Sequence, residues 1–307
     1  MIRGLPSLHT AGMSSKAALT LLRANLDQLR SSGRMRVALN EHGREALRHL
    51  VREPLTTRAN AGPKRVFEQP APLPPPGPTT PAPVVASQDL IEVPGSSLEE
   101  QLAHLAAMAE DDPKPRALGT LRSTMVFAVG NPRSEVMFIG EAPGAEEERQ
   151  REPFVGPAGQ LLTKIIAAMG AKREDVYISN ICKFRPSTGE GQGSGNRQPT
   201  KAEMDVCLPY IRTEISLIRP RVIVALGATA SMGLGIEGPV GRLRGKFQSF
   251  DGVPVMITYH PSYLLRQEAE GRGNEAKRAV WEDLLQVMES LGWPISEKQR
   301  GYFKPKA

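Results

Sequence analysis

Residues 135–170 read EVMFIGEAPGAEEERQREPFVGPAGQLLTKIIAAMG, and the order of their parts decides the fold. The apolar run Glu135 to Ile139 has the length of one buried strand. It breaks into the Gly/Pro-rich loop GEAPG at 140–144, and a helical pattern follows over 158–169. Three further short apolar runs, Val176 to Ile181, Arg221 to Leu226 and Val253 to Thr258, alternate with helical stretches that include 200–218 and 276–291. Strand–helix alternation predicts an α/β domain whose central sheet is largely parallel and covered by helices. Ligands of such sheets lie in a crevice beyond the carboxyl ends of the strands. Three of the four runs lead into unusual polar segments there: GEAPG, NICKFRP at 180–186 and YHPSYLLR at 259–266. These segments are expected to converge.

Outward from this block, 307 residues suffice for one full α/β domain without disulfides or structural metal. Cys182 and Cys207 cannot make a disulfide framework, and no apolar run approaches the ~20 residues that span a bilayer. The opening MIRGLPSLHTAGM lacks the apolar core of a secretory signal, so a cytoplasmic location is expected. A net charge of +6 and a pI near 9.4 suit a polyanionic partner and equally suit plain solubility. Leu19, Leu22, Leu26 and Leu29 mark one face of a helix, and 35–51 read as another, which makes 1–51 a helical extension. Eight prolines between Pro70 and Pro83 make 52–95 an extended linker. This arm is either a tail with weak helices or a docking segment for DNA or a protein. Ser97 and Glu100 have capping-box spacing where order resumes. The main domain is read as 96–295, the tail as 296–307, and the chain as a monomer.

The loop after the first strand exposes backbone amides to an anionic or carbonyl ligand, yet it lacks the Lys-Ser/Thr ending of a P-loop and the spacing of a dinucleotide fingerprint. Glu141, Glu146, Glu147 and Glu148 form either a solvated acidic turn or a pair poised over the cleft. Phe154 is either core or an aromatic that stacks on a base. Asn180 closes the second strand, where an amide either forms a turn or reads a base edge with its donor and acceptor together. Four of five histidines fall in the first 104 residues; His260 alone lies in the α/β domain, directly after a strand, where a proton donor or electrostatic stabiliser would sit.

The run GEAPG-x2-E-x5-PFVG-x-AG-x-LL, then YISN, NRQPT, PRVIVALG and TYHPSYLLR, resembles the uracil-DNA glycosylase superfamily and specifically its family-4 branch, over roughly 118–290. The resemblance implies a four-stranded parallel sheet sandwiched by helices, and an enzyme that flips deoxyuridine out of DNA and hydrolyses its N-glycosidic bond. It implies a uracil pocket lined by Glu141, Ala142, Pro143 and Gly144, with Glu147 as a second acidic position. Phe154 would stack on the flipped base, and Asn180 would pair with the uracil edge and discriminate against cytosine. His260 would stabilise the charge on the departing base. Pro261, Ser262, Tyr263, Leu264, Leu265 and Arg266 would form the DNA contact, with an apolar wedge in the minor groove. Arg185, Arg197, Arg242, Arg244 and Lys246 would suit phosphates. Other branches carry aspartate where Ala142 stands, so the water-activating group is left between Glu141, Glu147 and a bond that breaks dissociatively.

The resemblance to family 4 also implies a four-iron, four-sulfur cluster on four cysteines, and there the chain departs from the family pattern. Anchored on Arg122 and the GNP at 130–132, the first two of the four ligand positions that the resemblance implies fall on Pro113 and Arg116; the third falls on Phe184 in KFRP, where the family has KCRP, and only Cys207 matches the fourth. Cluster ligation needs about four suitable ligands, so no cluster and no other cofactor are expected, with Phe184 as a packing plug, Cys182 buried nearby, and Arg116 paired with an acid. The loop RPSTGEGQGSGNRQP has no histidine, unlike a branch that traps its product covalently, so ordinary turnover is expected. Two other readings stay open: a glycosylase-fold scaffold with little activity, suggested by the lost ligands and by Arg151 at a family glycine, and a glycosylase for another deaminated base.

Overall fold

The structure, a computed structural model, describes residues 90–189 and 195–303. The extension at 1–51, nearly all of the linker, residues 190–194 of the Gly-rich loop and the last four residues of the tail lie outside the described residues. In chain order, α1 (Leu98–Asp111) and α2 (Pro113–Ala117) lead to β1 (Leu121–Met125), β2 (Val129–Gly130) and β3 (Val136–Gly140). Next come α3 (Ala145–Gln150), α4 (Pro157–Met169), β4 (Tyr177–Asn180), β5 (Phe184–Pro186) and α5 (Lys201–Ile218). The chain continues through β6 (Val222–Leu226), α6 (Ala228–Gly233), α7 (Val240–Leu243), β7 (Phe247–Phe250) and β8 (Val253–Thr258). It closes with α8 (Pro261–Ala269), α9 (Gly273–Leu291) and α10 (Glu297–Gly301).

The main sheet has the order β2-β4-β3-β6-β8-β7. The four apolar runs form its parallel centre, and β2 and β7 flank them as antiparallel edges on β4 and β8. The edges are the part the resemblance did not supply. β2 has only two residues, and β7 is largely exposed, as befits a strand that blunts an otherwise open side.

Period-two alternation divides the buried central strands between two cores. Met137, Ile139, Ile223, Ala225, Val255 and Ile257 face Met204, Cys207, Ile211 and Ile215 of α5. Val136, Phe138, Val222, Val224 and Met256 face Leu162 and Ile166 of α4 and Val280, Leu284 and Val287 of α9. Helix α4 starts on Pro157 and stops at Gly170 in the left-handed region, φ 93°, so its length is fixed by sequence at both ends. Each fully buried Leu, Ile or Phe contributes about 1.5–3 kcal/mol. With both faces covered, the loops at the carboxyl ends of β3, β4, β6 and β8 are held on a rigid base.

Candidate active site

Those four strand ends surround a cavity of about 580 Å³. Gly140 pairs with Asn180 in the parallel register of β3 and β4, and the pairing runs on into the loops through Cys182 N–H to the Glu141 carbonyl at 3.0 Å. On the far side the Gly227 N–H reaches the Thr258 carbonyl at 2.9 Å, which places the start of α6 beside Tyr259 and His260. Glu141, Ala142, Pro143, Gly144, Glu147, Phe154, Asn180 and His260 all line the cavity. The strand-end residues singled out in the sequence therefore come together.

Gly140 is the floor on which two of them meet. A Cβ there would lie 2.4 Å from both Asn180 Oδ1 and Phe154 Cζ, so the amide and the ring edge occupy the space a side chain would take. Phe154 holds φ 56°, a sparsely populated conformation for an aromatic residue, and Gly159 lets its backbone pack against α4. The Phe154 and His260 rings lie 5.7 Å apart at 34°. Asn180 is 2% exposed. Its carbonyl accepts from Lys183 Nζ at 3.2 Å, and the same ammonium donates to Ser179 Oγ at 2.6 Å and pairs with Glu214, both partners fully buried. Such an ion pair is costly to break and fixes the end of β4. Nothing in the sequence marked Lys183 for this role.

His260 N-caps α8. Its Nδ1 accepts the Ser262 N–H at 3.1 Å, with the Ser262 hydroxyl at 2.8 Å. A ring nitrogen that accepts from a backbone amide carries no proton, so the proton resides on Nε2. Burial, with a smaller contribution from Arg266, pulls the His260 pKa down to about 4. The ring is therefore neutral at physiological pH and offers a donor that is hard to protonate further. Glu141 is shifted the other way: burial raises its pKa, while a hydrogen bond from Thr229 and the charge of Arg266 partly oppose the rise.

Glu147 is occupied differently. Its carboxylate accepts from the Gly144, Val155 and Gly156 N–H groups at 3.2, 3.2 and 3.0 Å, and so ties the starts of α3 and α4 together. Glu147→Ala is expected to lower the thermal midpoint by roughly 4–10 °C, from ~1.5–3 kcal/mol of charge-assisted bonding. Calorimetry reads this directly, and an unchanged midpoint would show that the loop holds its shape without the carboxylate. Glu148 bridges Arg122 at 2.5 Å and Arg185 at 3.1 Å, and Arg185 in turn holds Asn196 Oδ1 at 3.1 Å and the Gly195 carbonyl at 2.7 Å. Asn196 and Thr229 line the cavity, yet the sequence reading gave neither a role. NRQPT and PRVIVALG were quoted as motifs, and polar residues inside them are the signal that could have found both.

Parts of the expected DNA contact are elsewhere. Residues 261–269 form a helix in which Leu264, 1% exposed, packs in the second core and Pro261 is buried, so neither presents an apolar wedge at the surface. Ser262, Tyr263 and Arg266 line the cavity, and Leu265 is half-buried. Of the cations assigned to phosphates, Arg185 is buried in the network above, Arg197 pairs with Glu203 at 2.6 Å and Arg244 with Asp283 at 3.1 Å. Arg242 and Lys246 are exposed.

A profile of the uracil DNA glycosylase superfamily matches residues 127–285. The chain belongs to that superfamily. It is 41% identical over 167 residues to a type-4 uracil-DNA glycosylase of Thermotoga maritima, a match covering 53% of this chain and 81% of that protein. A type-4 uracil-DNA glycosylase of Archaeoglobus fulgidus is 39% identical over 153 residues, 47% of this chain and 73% of its own length. A type-5 uracil-DNA glycosylase of Pyrobaculum aerophilum is 31% identical over 153 residues, 44% and 64% respectively.

Within this superfamily member the cluster positions do not suit iron. Pro113 opens α2, and the Arg116 guanidinium donates to the Glu110 carbonyl at 2.7 Å instead of pairing with an acid. Phe184 is packed in the first core with Cys182 and Cys207. Cys182 lies in the bend between β4 and β5 and not on a strand. Two thiols are too few for a cluster, and among the described residues no three His, Cys, Asp or Glu side chains are grouped to hold a metal. Nor, among the described residues, is any helix long and apolar enough to cross a membrane.

Proposed function

We propose that the chain releases uracil from DNA by hydrolysing the N-glycosidic bond of a flipped deoxyuridine, leaving an abasic site. The observation that carries this is the meeting of a buried amide, an aromatic ring and a neutral imidazole donor around one cavity: Asn180, Phe154 and His260. In this reading Phe154 stacks on the base and Asn180 reads its hydrogen-bonding edge, with Lys183 holding the strand end that carries the amide. His260 Nε2–H donates to a uracil carbonyl, where negative charge grows as the C1′–N1 bond breaks. The oxygen of water then bonds to C1′, and its proton leaves through Glu141, whose carboxyl is the one at the cavity not committed to backbone amides. Glu147 positions the loop. The bond electrons depart with the uracil anion, which takes a proton on release.

The same reading has no cluster and no other cofactor, with uracil-containing DNA as the partner and the protein acting as a cytoplasmic monomer. A docking role for the arm at 1–95, toward DNA or a protein, belongs to the same reading. Arg151, at a family glycine, weighs little against activity: it adopts φ 56° and turns its guanidinium to Glu110 at 2.7 Å, not into the cavity.

The test is alkali-induced cleavage of a labelled oligonucleotide with one deoxyuridine, alongside iron analysis of the same preparation. Wild type is expected to cut at the uridine with less than one iron atom per chain. Asn180→Asp is expected to lose about 100-fold in kcat/KM or to shift toward another base. Intact DNA binding with no release from single- or double-stranded substrate would favour the scaffold reading, and about four iron atoms per chain would overturn the cluster-free one.

A further inference from the structure

The cavity also holds a second aromatic pair. Tyr259 and Tyr263 lie four residues apart, one ahead of α8 and one in its first turn, and their rings stack at 4.6 Å and 27°. Both line the cavity, and both are only partly buried. The Arg244 guanidinium lies 5.8 Å from the Tyr259 ring centre, and Asp283, with its carboxylate also bonded to the Thr258 hydroxyl at 2.6 Å, anchors that arginine. The pair is thus seated on fixed supports and does not swing freely. Exposed Arg242 and Lys246 follow on the adjoining segment, and exposed Arg266 lies one turn beyond Tyr263.

A cavity of about 580 Å³ is larger than one pyrimidine ring requires. Its lining joins the buried Phe154 and Asn180 to the partly buried tyrosines and the exposed Arg266, while Arg242 and Lys246 lie next to the lining residue Gly241 and nearby on the chain, outside the lining itself. Stacking rings beside a track of positive charge is the arrangement with which proteins hold single-stranded nucleic acid, because every base offers a π-face and every link a phosphate. Leu264 is buried in the second core, and Tyr263, partly buried, is the aromatic of this helix that lines the cavity.

The geometry points to a second nucleotide subsite: the Tyr259–Tyr263 shelf stacks the base next to the flipped uridine, with Arg266, Arg242 and Lys246 on the adjoining phosphates. This rests on the uracil-release reading and adds to it. The shelf takes any base without sequence preference, and it works best where the neighbour is free to unstack from a partner strand. The enzyme would therefore hold a dinucleotide unit, one base read by Asn180 and one merely stacked.

The test varies the DNA as well as the protein. Uracil release and fluorescence-anisotropy binding are measured on single-stranded oligonucleotides whose 5′ or 3′ neighbour of deoxyuridine is either a normal nucleotide or a tetrahydrofuran abasic analogue. Wild type is expected to lose about tenfold in kcat/KM when the neighbour on one side lacks its base. Tyr263→Leu is expected to show the same loss on intact DNA and no further loss on the abasic-flanked strand, while Tyr263→Phe keeps the wild-type pattern. Equal wild-type rates and affinities on all three strands would overturn the shelf, whatever the variants do, since the DNA substitution leaves the protein's folding untouched. A Tyr263→Leu defect that persists in full on top of the abasic loss would also overturn it. Failure of wild type to release uracil from any strand would strike the parent reading instead, and the anisotropy series would still decide whether the neighbouring base is stacked.

Discussion

His260→Ala is expected to lower kcat/KM for uracil release by about 10²–10³-fold, the usual consequence of deleting one donor aimed at developing negative charge. The expectation follows from the proton on Nε2: Nδ1 is taken by the Ser262 N–H, and a ring with a pKa near 4 stays neutral through the physiological range. Wild-type kcat/KM should therefore show no inflection near 6.5, the ordinary histidine value, and should hold level on acidification until Glu141 and then His260 take up protons. Glu141, whose pKa burial raises above 4.5, sets the first acid limb, and Glu141→Gln should remove that limb at the cost of rate. An inflection near 6.5 that vanishes in His260→Ala would overturn the neutral assignment. Stability carries the same signature. The folded-state pKa lies below the unfolded one, so the contribution is complete above pH 6.5 and is lost as pH falls toward 4. The span from 6.5 to about 4 corresponds to about 3 kcal/mol. Urea unfolding at pH 7 and pH 5 should show wild type weakening more than His260→Ala across that interval.

Gly140→Ala is expected to reduce uracil release by 100-fold or more while leaving a folded protein. The added methyl would lie 2.4 Å from Asn180 Oδ1 and from Phe154 Cζ. Asn180 is fixed by strand pairing and by Lys183, and Phe154 by the packing of its backbone on Gly159, so neither yields without displacing the group proposed to hold the base. A displacement of about 1 Å at a reacting geometry can cost 100-fold. Circular dichroism and thermal melting would establish the fold, and a kinetic assay the loss. Near wild-type kcat/KM would mean that the Asn180 amide and the Phe154 ring need not meet over this floor.

Much of this site was legible in the chain because parallel sheets announce themselves. Short β-rich runs separated by helices leave few topologies open, and polar residues at the ends of those runs, Glu141, Asn180 and His260, have one place to go. What stayed hidden depended on direction and pairing. The edge strands were missed because two residues at Val129–Gly130 carry no periodicity and Phe247–Phe250 buries little. Leu264 looked like a wedge because the sequence does not say that Pro261 starts a helix whose inner face then claims the position three residues on. Arg185, Arg197 and Arg244 looked like phosphate ligands because composition does not reveal that Glu148 and Asp283, distant in sequence, and Glu203, six residues on from Arg197, already hold them. Lys183 and Glu214, 31 positions apart, meet only once α5 lies across the sheet.

The capping bond of His260 ties the chemistry of the ring to the packing of the core. One contact both begins helix α8 and fixes which imidazole nitrogen carries the proton. The same turn seats Leu264 in the second core, so it is not a terminus that opens cheaply. The tautomer is therefore expected to stay fixed for as long as that core stays packed, and the site to keep its donor on warming until the domain itself begins to open.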